Sequence, residues 1–106
     1  MREQLMKIIV KPYLFLRDVL GFTGREIELP DEGEKTAGDL LNLLRSNFQL
    51  PDRVAISQGQ LILFAENQPV GLVMLINGRN IGKLRGLDTV LNEGDQVTLF
   101  PPAAGG

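Results

Sequence analysis

Gln96-Val97-Thr98-Leu99-Phe100-Pro101-Pro102-Ala103-Ala104-Gly105-Gly106 is the stretch on which the reading of this sequence turns. Its first five residues alternate at the two-residue period of a strand, so if Val97 and Leu99 face a core, then Gln96, Thr98 and Phe100 face the other side. Phe100 is then solvated beside the tail, unless a bulge or the 51–71 segment covers it. A solvated ring in that place suits partner contact, because aromatics offer a large apolar area at low entropic cost. Pro101 and Pro102 cannot donate to a ladder and drive the chain toward extended geometry, which projects the tail from the body. No later side chain exceeds a methyl group, so Gly105 and Gly106 can enter a narrow channel. The Gly106 carboxylate can attack the α-phosphorus of ATP where an enzyme aligns the two and shields their repulsion, giving an acyl adenylate. A Gly-Gly ending alone says little, since small-residue tails are common.

Upstream, Asn92-Glu93-Gly94-Asp95 reads as a turn. Leu72-Val73-Met74-Leu75-Ile76 has strand composition, and Asn77-Gly78 tolerates the positive φ of a tight hairpin, predicting a short return strand through Ile81. Thr36 with Asp39 three residues on marks a helix start. Ala37, Leu40, Leu41, Leu44 and Phe48 then recur at helical spacing, and the helix ends before Pro51. At the N-terminal end Met6, Ile8 and Val10 alternate with Lys7 and Lys11, and Ile27 and Leu29 alternate within Arg25–Leu29, which together predict a hairpin. Between them Leu14, Phe15, Val19 and Leu20 fit a short helical turn or packed loop, with Gly21 and Gly24 bracketing a turn. The 51–71 stretch is least legible, because Leu61-Ile62-Leu63-Phe64-Ala65 is too short and too evenly apolar for its period to decide; a strand is the preferred reading. The order implies one α+β domain over residues 1–106, a mixed sheet with one main helix packed across it, and a flexible tail at 101–106.

Composition excludes several classes of function. The 106 residues contain no Cys and no His, which removes disulfides, thiolate metal sites, cysteine nucleophiles and the usual general base. We therefore expect no metal, no bound cofactor and no enzyme activity of its own. Eleven Lys plus Arg against thirteen Asp plus Glu give a net charge of -2 with interspersed signs, so nucleic acid is not an expected partner. No apolar run approaches the roughly eighteen residues of a membrane span, and a soluble cytoplasmic protein is expected. Asp31, Glu32 and Glu34 precede the helix without a base or nucleophile, and a solvated loop explains them. Asp88, Glu93 and Asp95 read as turn residues. Lys7, Lys11, Lys35 and Lys83 read as solubilising surface, and Arg79 and Arg85 as surface charge able to pair with acids on a partner.

Val97 to Gly106, preceded by Asn92-Glu93-Gly94-Asp95, resembles the C-terminal signature of the small subunit of molybdopterin synthase and its MoaD-like relatives. Ile76-Asn77-Gly78 looks like that family's strand-turn, and Thr36–Phe48 sits where the family has its main helix. The resemblance implies a β-grasp, or ubiquitin-like, fold. It further implies that an E1-like enzyme using ATP adenylates Gly106, and that the adenylate becomes a thiocarboxylate donating sulfur to a cofactor precursor. Gly105 would provide the slim approach. Phe100, Pro101 and Pro102 would dock on the activating enzyme or on the large subunit of molybdopterin synthase. The chain is longer than the plain family core, chiefly through Gln49–Gly71, a length shared by ubiquitin-like protein modifiers.

A protein modifier uses the same activated carboxyl, captured by a lysine amine to form an isopeptide. Thiamine-pathway sulfur carriers resemble the chain at Gly-Gly but are usually more compact. A non-covalent interaction module of the same fold would need no acyl chemistry.

Overall fold

The computed structural model describes residues 5–30 and 33–102. The acids Asp31 and Glu32 and the tail residues Ala103–Gly106 lie outside the described residues.

The chain opens with strand β1 (Leu5–Pro12), whose inward residues Met6, Ile8 and Val10 are buried while Leu5 and Lys7 are exposed. It turns through a short helix α1 (Leu16–Leu20) into β2 (Arg25–Pro30), which pairs antiparallel with β1 from Leu5 opposite Pro30 to Val10 opposite Arg25. Gly21 caps α1 at φ 84°, a left-handed position that glycine adopts without strain. The buried residues here are Leu16 and Leu20. Of the apolar positions read as a short helical turn or packed loop, Leu14 is 69% exposed with φ 57°, a left-handed kink that turns its side chain off the core, while Leu16 is buried.

Helix α2 (Ala37–Asn47) starts where Thr36 and Asp39 predict. The Thr36 Oγ1 accepts from the Asp39 N–H at 3.2 Å while an Asp39 carboxylate oxygen accepts from the Thr36 N–H at 2.9 Å, so two otherwise orphaned donors are satisfied reciprocally. The start is also tied to residues 89–91: Ala37 N–H donates to the Thr89 carbonyl at 2.9 Å and Leu91 N–H to that of Lys35 at 2.8 Å. Ala37, Leu40, Leu41 and Leu44 are buried, and they share one core with the inward face of the sheet.

The 51–71 segment holds a separate two-stranded hairpin, β3 (Arg53–Ile56) and β4 (Gly59–Ile62), followed by buried Leu63 and Phe64. The strand reading of 61–65 is thus half met, since pairing ends at Ile62. Asp52 ends it: its carbonyl accepts from both Leu63 N–H (2.7 Å) and Phe64 N–H (3.2 Å), turning the chain inward. Arg45 on α2 holds the segment, bonding Asp52 at 2.6 Å and Asn67 at 3.3 Å with its guanidinium 4.3 Å from the Phe64 ring centroid. Gly71 completes the seat: a β-carbon there would stand 2.0 Å from the Ile62 carbonyl oxygen, so only glycine lets the two backbones meet.

Strands β5 (Val73–Ile76) and β6 (Arg79–Asn80) flank the Asn77-Gly78 turn at φ 51° and 85°. The return strand is shorter than expected: Ile81 is buried and enters a 3-10 turn, Ile81–Lys83, whose start is capped by Asn80 Oδ1 on Gly82 N–H. A second 3-10 turn, Gly86–Asp88, leads to β7 (Gln96–Phe100). The five-stranded sheet has the order β2-β1-β7-β5-β6, with β7 parallel to β1 and antiparallel to β5. A mixed sheet in this order, with one main helix on its apolar face, is a β-grasp. Among the described residues no helix is long and apolar enough to cross a membrane.

Candidate functional site: the root of the tail

Strand β7 runs down the middle of the sheet, so its last residue is held from both sides. Phe100 stands opposite Val73 of β5, and on the other flank the Tyr13 N–H donates to the Leu99 carbonyl at 2.9 Å, setting Tyr13 beside Phe100. Val97 and Leu99 are fully buried, as the alternation requires, which puts Gln96, Thr98 and Phe100 on the outer face. Phe100 is half-buried there: neither free in solvent nor covered. Pro101 is half-buried and Pro102 exposed. Phe100, Pro101 and Pro102 are therefore brought together. Gly105 and Gly106 lie outside the described residues.

The neighbouring flank was not foreseen from sequence. Tyr13 is 40% exposed, and the Arg17 guanidinium lies over its ring at 5.1 Å while Arg17 Nε donates to the Pro12 carbonyl at 3.3 Å. Leu14 projects next to it. Seeing these residues at the tail root needs the parallel pairing of β1 with β7, a long-range contact with no local signal; only the aromatic and aliphatic composition of 13–15 hinted at it.

The other end of β7 is locked by Asp95, read above as a turn residue and in fact 8% exposed. One of its carboxylate oxygens accepts from Asn77 Nδ2 and the other from Asn92 N–H, each at 2.8 Å. Asn77 Oδ1 in turn accepts from Gln96 N–H at 2.9 Å. Two turns are thereby fastened to one strand, fixing the register that places Phe100. Glu93 accepts from the Lys7 N–H at 3.0 Å, adding a tie to β1. Among the described residues no group of three or more His, Cys, Asp or Glu is placed to hold a metal ion.

A β-grasp with its last strand central, ending at Pro101-Pro102, defines a ubiquitin-like protein. The chain belongs to the ThiS family, whose model matches residues 14–106, and so to the ubiquitin-like sulfur carriers that include MoaD-like proteins. It is 34% identical over 101 residues to small archaeal modifier protein 3 of Haloferax volcanii, covering 95% of this chain and all of that one. Its fold is shared with the crystal structure of small archaeal modifier protein 1 from Haloferax volcanii, at 24% identity and TM-score 0.69 over 94% of this chain and 99% of the other. A structure described as a putative molybdopterin converting factor subunit 1 from Pyrococcus furiosus matches at 23% identity and TM-score 0.61, over 92% of this chain and 99% of that one.

Proposed function

We propose that this protein is a carrier activated at Gly106. The observation that supports this reading best is the central strand β7 leading through Pro101-Pro102 into a Gly-Gly ending that the family match includes. A separate E1-like enzyme binds the outer face around Phe100 and draws the tail into its ATP site. The Gly106 carboxylate oxygen attacks the α-phosphorus, pyrophosphate leaves, and an acyl adenylate forms. A sulfide equivalent then adds to the acyl carbon and AMP leaves, giving a thiocarboxylate. No redox change occurs at the carrier. This chain's own contribution is geometric: the body docks, the prolines keep the exit extended, and Gly105 lets the partner's backbone approach. The preferred acceptor is a molybdopterin precursor held by the large subunit of the synthase, with the protein acting in the cytoplasm.

The 34% identical relative, a small archaeal modifier protein, favours a second use of the same activated carboxyl. Here a neutral lysine amine of another protein attacks the acyl carbon of the adenylate, AMP leaves, the nitrogen gives up a proton to solvent, and an isopeptide bond forms. The two are separated by incubating the purified chain with its cognate activating enzyme, ATP and a sulfide donor, then following intact mass. Replacement of one oxygen by sulfur without conjugates supports sulfur delivery. Isopeptide products that vanish on deletion of Gly106 support modification. Unchanged mass with a demonstrably competent enzyme refutes both.

A further inference from the structure

From Asn67 to Leu87 the chain contains no acidic residue, yet it carries Arg79, Lys83 and Arg85 in a protein of net charge -2. The fold gathers two of these cations around one cleft. A cavity of about 500 Å³ is lined by Leu75, Gly78, Arg79, Asn80, Lys83 and Leu84. Leu75 comes from the outer face of β5, opposite Thr98 of β7, and Leu84, 37% exposed, follows the first 3-10 turn. Together they give the cleft an aliphatic floor. Arg79 and Lys83 form its basic walls, and Arg85 is exposed one residue beyond Leu84. None of these three cations forms an ion pair among the described residues, where the ion pairs are Lys7 with Glu26 and Arg45 with Asp52.

A part-exposed aliphatic floor and unpaired cations around one cleft favour one kind of occupant. We propose that the Leu75–Leu84 cleft is a docking site for an acidic, aliphatic segment of a partner protein, which places a Leu or Ile side chain on the floor and carboxylates against Arg79 and Lys83. Burial of the aliphatic group supplies the attraction. The charges select the partner and set its orientation, and positively charged segments are repelled. The site shares the outer face with Phe100 but does not include the tail and needs no acyl chemistry, so binding there does not require an activated Gly106.

The test titrates the isotope-labelled full chain with an acetylated, amidated peptide in which Leu is flanked by Glu on both sides, and with its Lys-for-Glu counterpart, following amide chemical shifts. The Glu peptide is expected to move residues 75–85, with affinity falling as salt is raised. The Arg79→Glu, Lys83→Glu double variant is expected to weaken it by about five- to thirtyfold and to gain affinity for the Lys peptide. A chain lacking Gly105-Gly106 is expected to bind unchanged, which separates this site from the activation chemistry. Equal binding of both peptides, shifts centred outside 75–85, or loss of binding on removing the two glycines would each overturn the proposal. The circular dichroism spectrum of the double variant verifies that it is folded; should it not be, the single Lys83→Glu variant replaces it.

Discussion

Replacing Asp95 with alanine tests the claim that one buried carboxylate fastens two turns to the central strand. Asp95 accepts two hydrogen bonds of 2.8 Å, from Asn77 Nδ2 and Asn92 N–H. Such charge-assisted bonds contribute about 1.5–3 kcal/mol each when their donors are left without water. Asn77 and Asn92 are exposed residues, so solvent recovers part of the loss. The low end applies, and the pair together gives about 2–3 kcal/mol of destabilisation. For a domain of this size that lowers Tm by roughly 10–20 °C. Asp95→Asn keeps the shape but offers one acceptor oxygen to two donors and turns an amide toward the second. It should lose about 1–2 kcal/mol. Urea denaturation followed by circular dichroism measures both, with the unchanged slope confirming that the native state is compared with a similar unfolded state. An Asp95→Ala loss below about 0.5 kcal/mol, a threshold typical of surface changes, would refute the lock.

Three other substitutions probe other joints. Thr36→Ala removes the acceptor for the Asp39 N–H and should cost about 1 kcal/mol, read as a lower urea midpoint. Gly71→Ala drives a methyl group into the Ile62 carbonyl and should cost on the order of 3 kcal/mol or more, with hydrogen exchange rising first across 53–62. Leu14→Asn should raise stability by about 0.5–1 kcal/mol, because asparagine accepts the left-handed φ of 57° that leucine resists; a lower thermal midpoint would contradict the strain assigned there.

The elements legible in the sequence are those with one wet face and one dry face. In β1, β2, α2 and β7 the period of Met6/Ile8/Val10, Ile27/Leu29, Leu40/Leu41/Leu44 and Val97/Leu99 matches the buried set, because a single core lies on one side of each. Leu61–Phe64 defeats the same reasoning: four adjacent apolar residues go half-buried, exposed, buried and buried, an order set by Asp52 and Gly71 rather than by any local period. Asp95 flanks the turn as its composition indicates, but its burial is not legible locally. Turn composition explains its position, whereas its burial comes from Asn77, eighteen residues away. That β7 ends at Phe100 before Pro101 and Pro102 is legible locally, but Tyr13 beside it depends on the β1–β7 pairing.

That pairing has a consequence for how the protein is made. The first and last strands of the sheet are neighbours, so while the chain is being synthesised β1 and β5 wait with a gap between them. The β1–β7 and β5–β7 registers are settled only when the final strand slots in, and such distant pairings slow folding. A polypeptide interrupted before Gln96 would lack the slat that joins the two halves and would remain open to proteolysis. Molecules that reach the folded state thus certify that the base of their own tail has been built, an inspection step performed by topology.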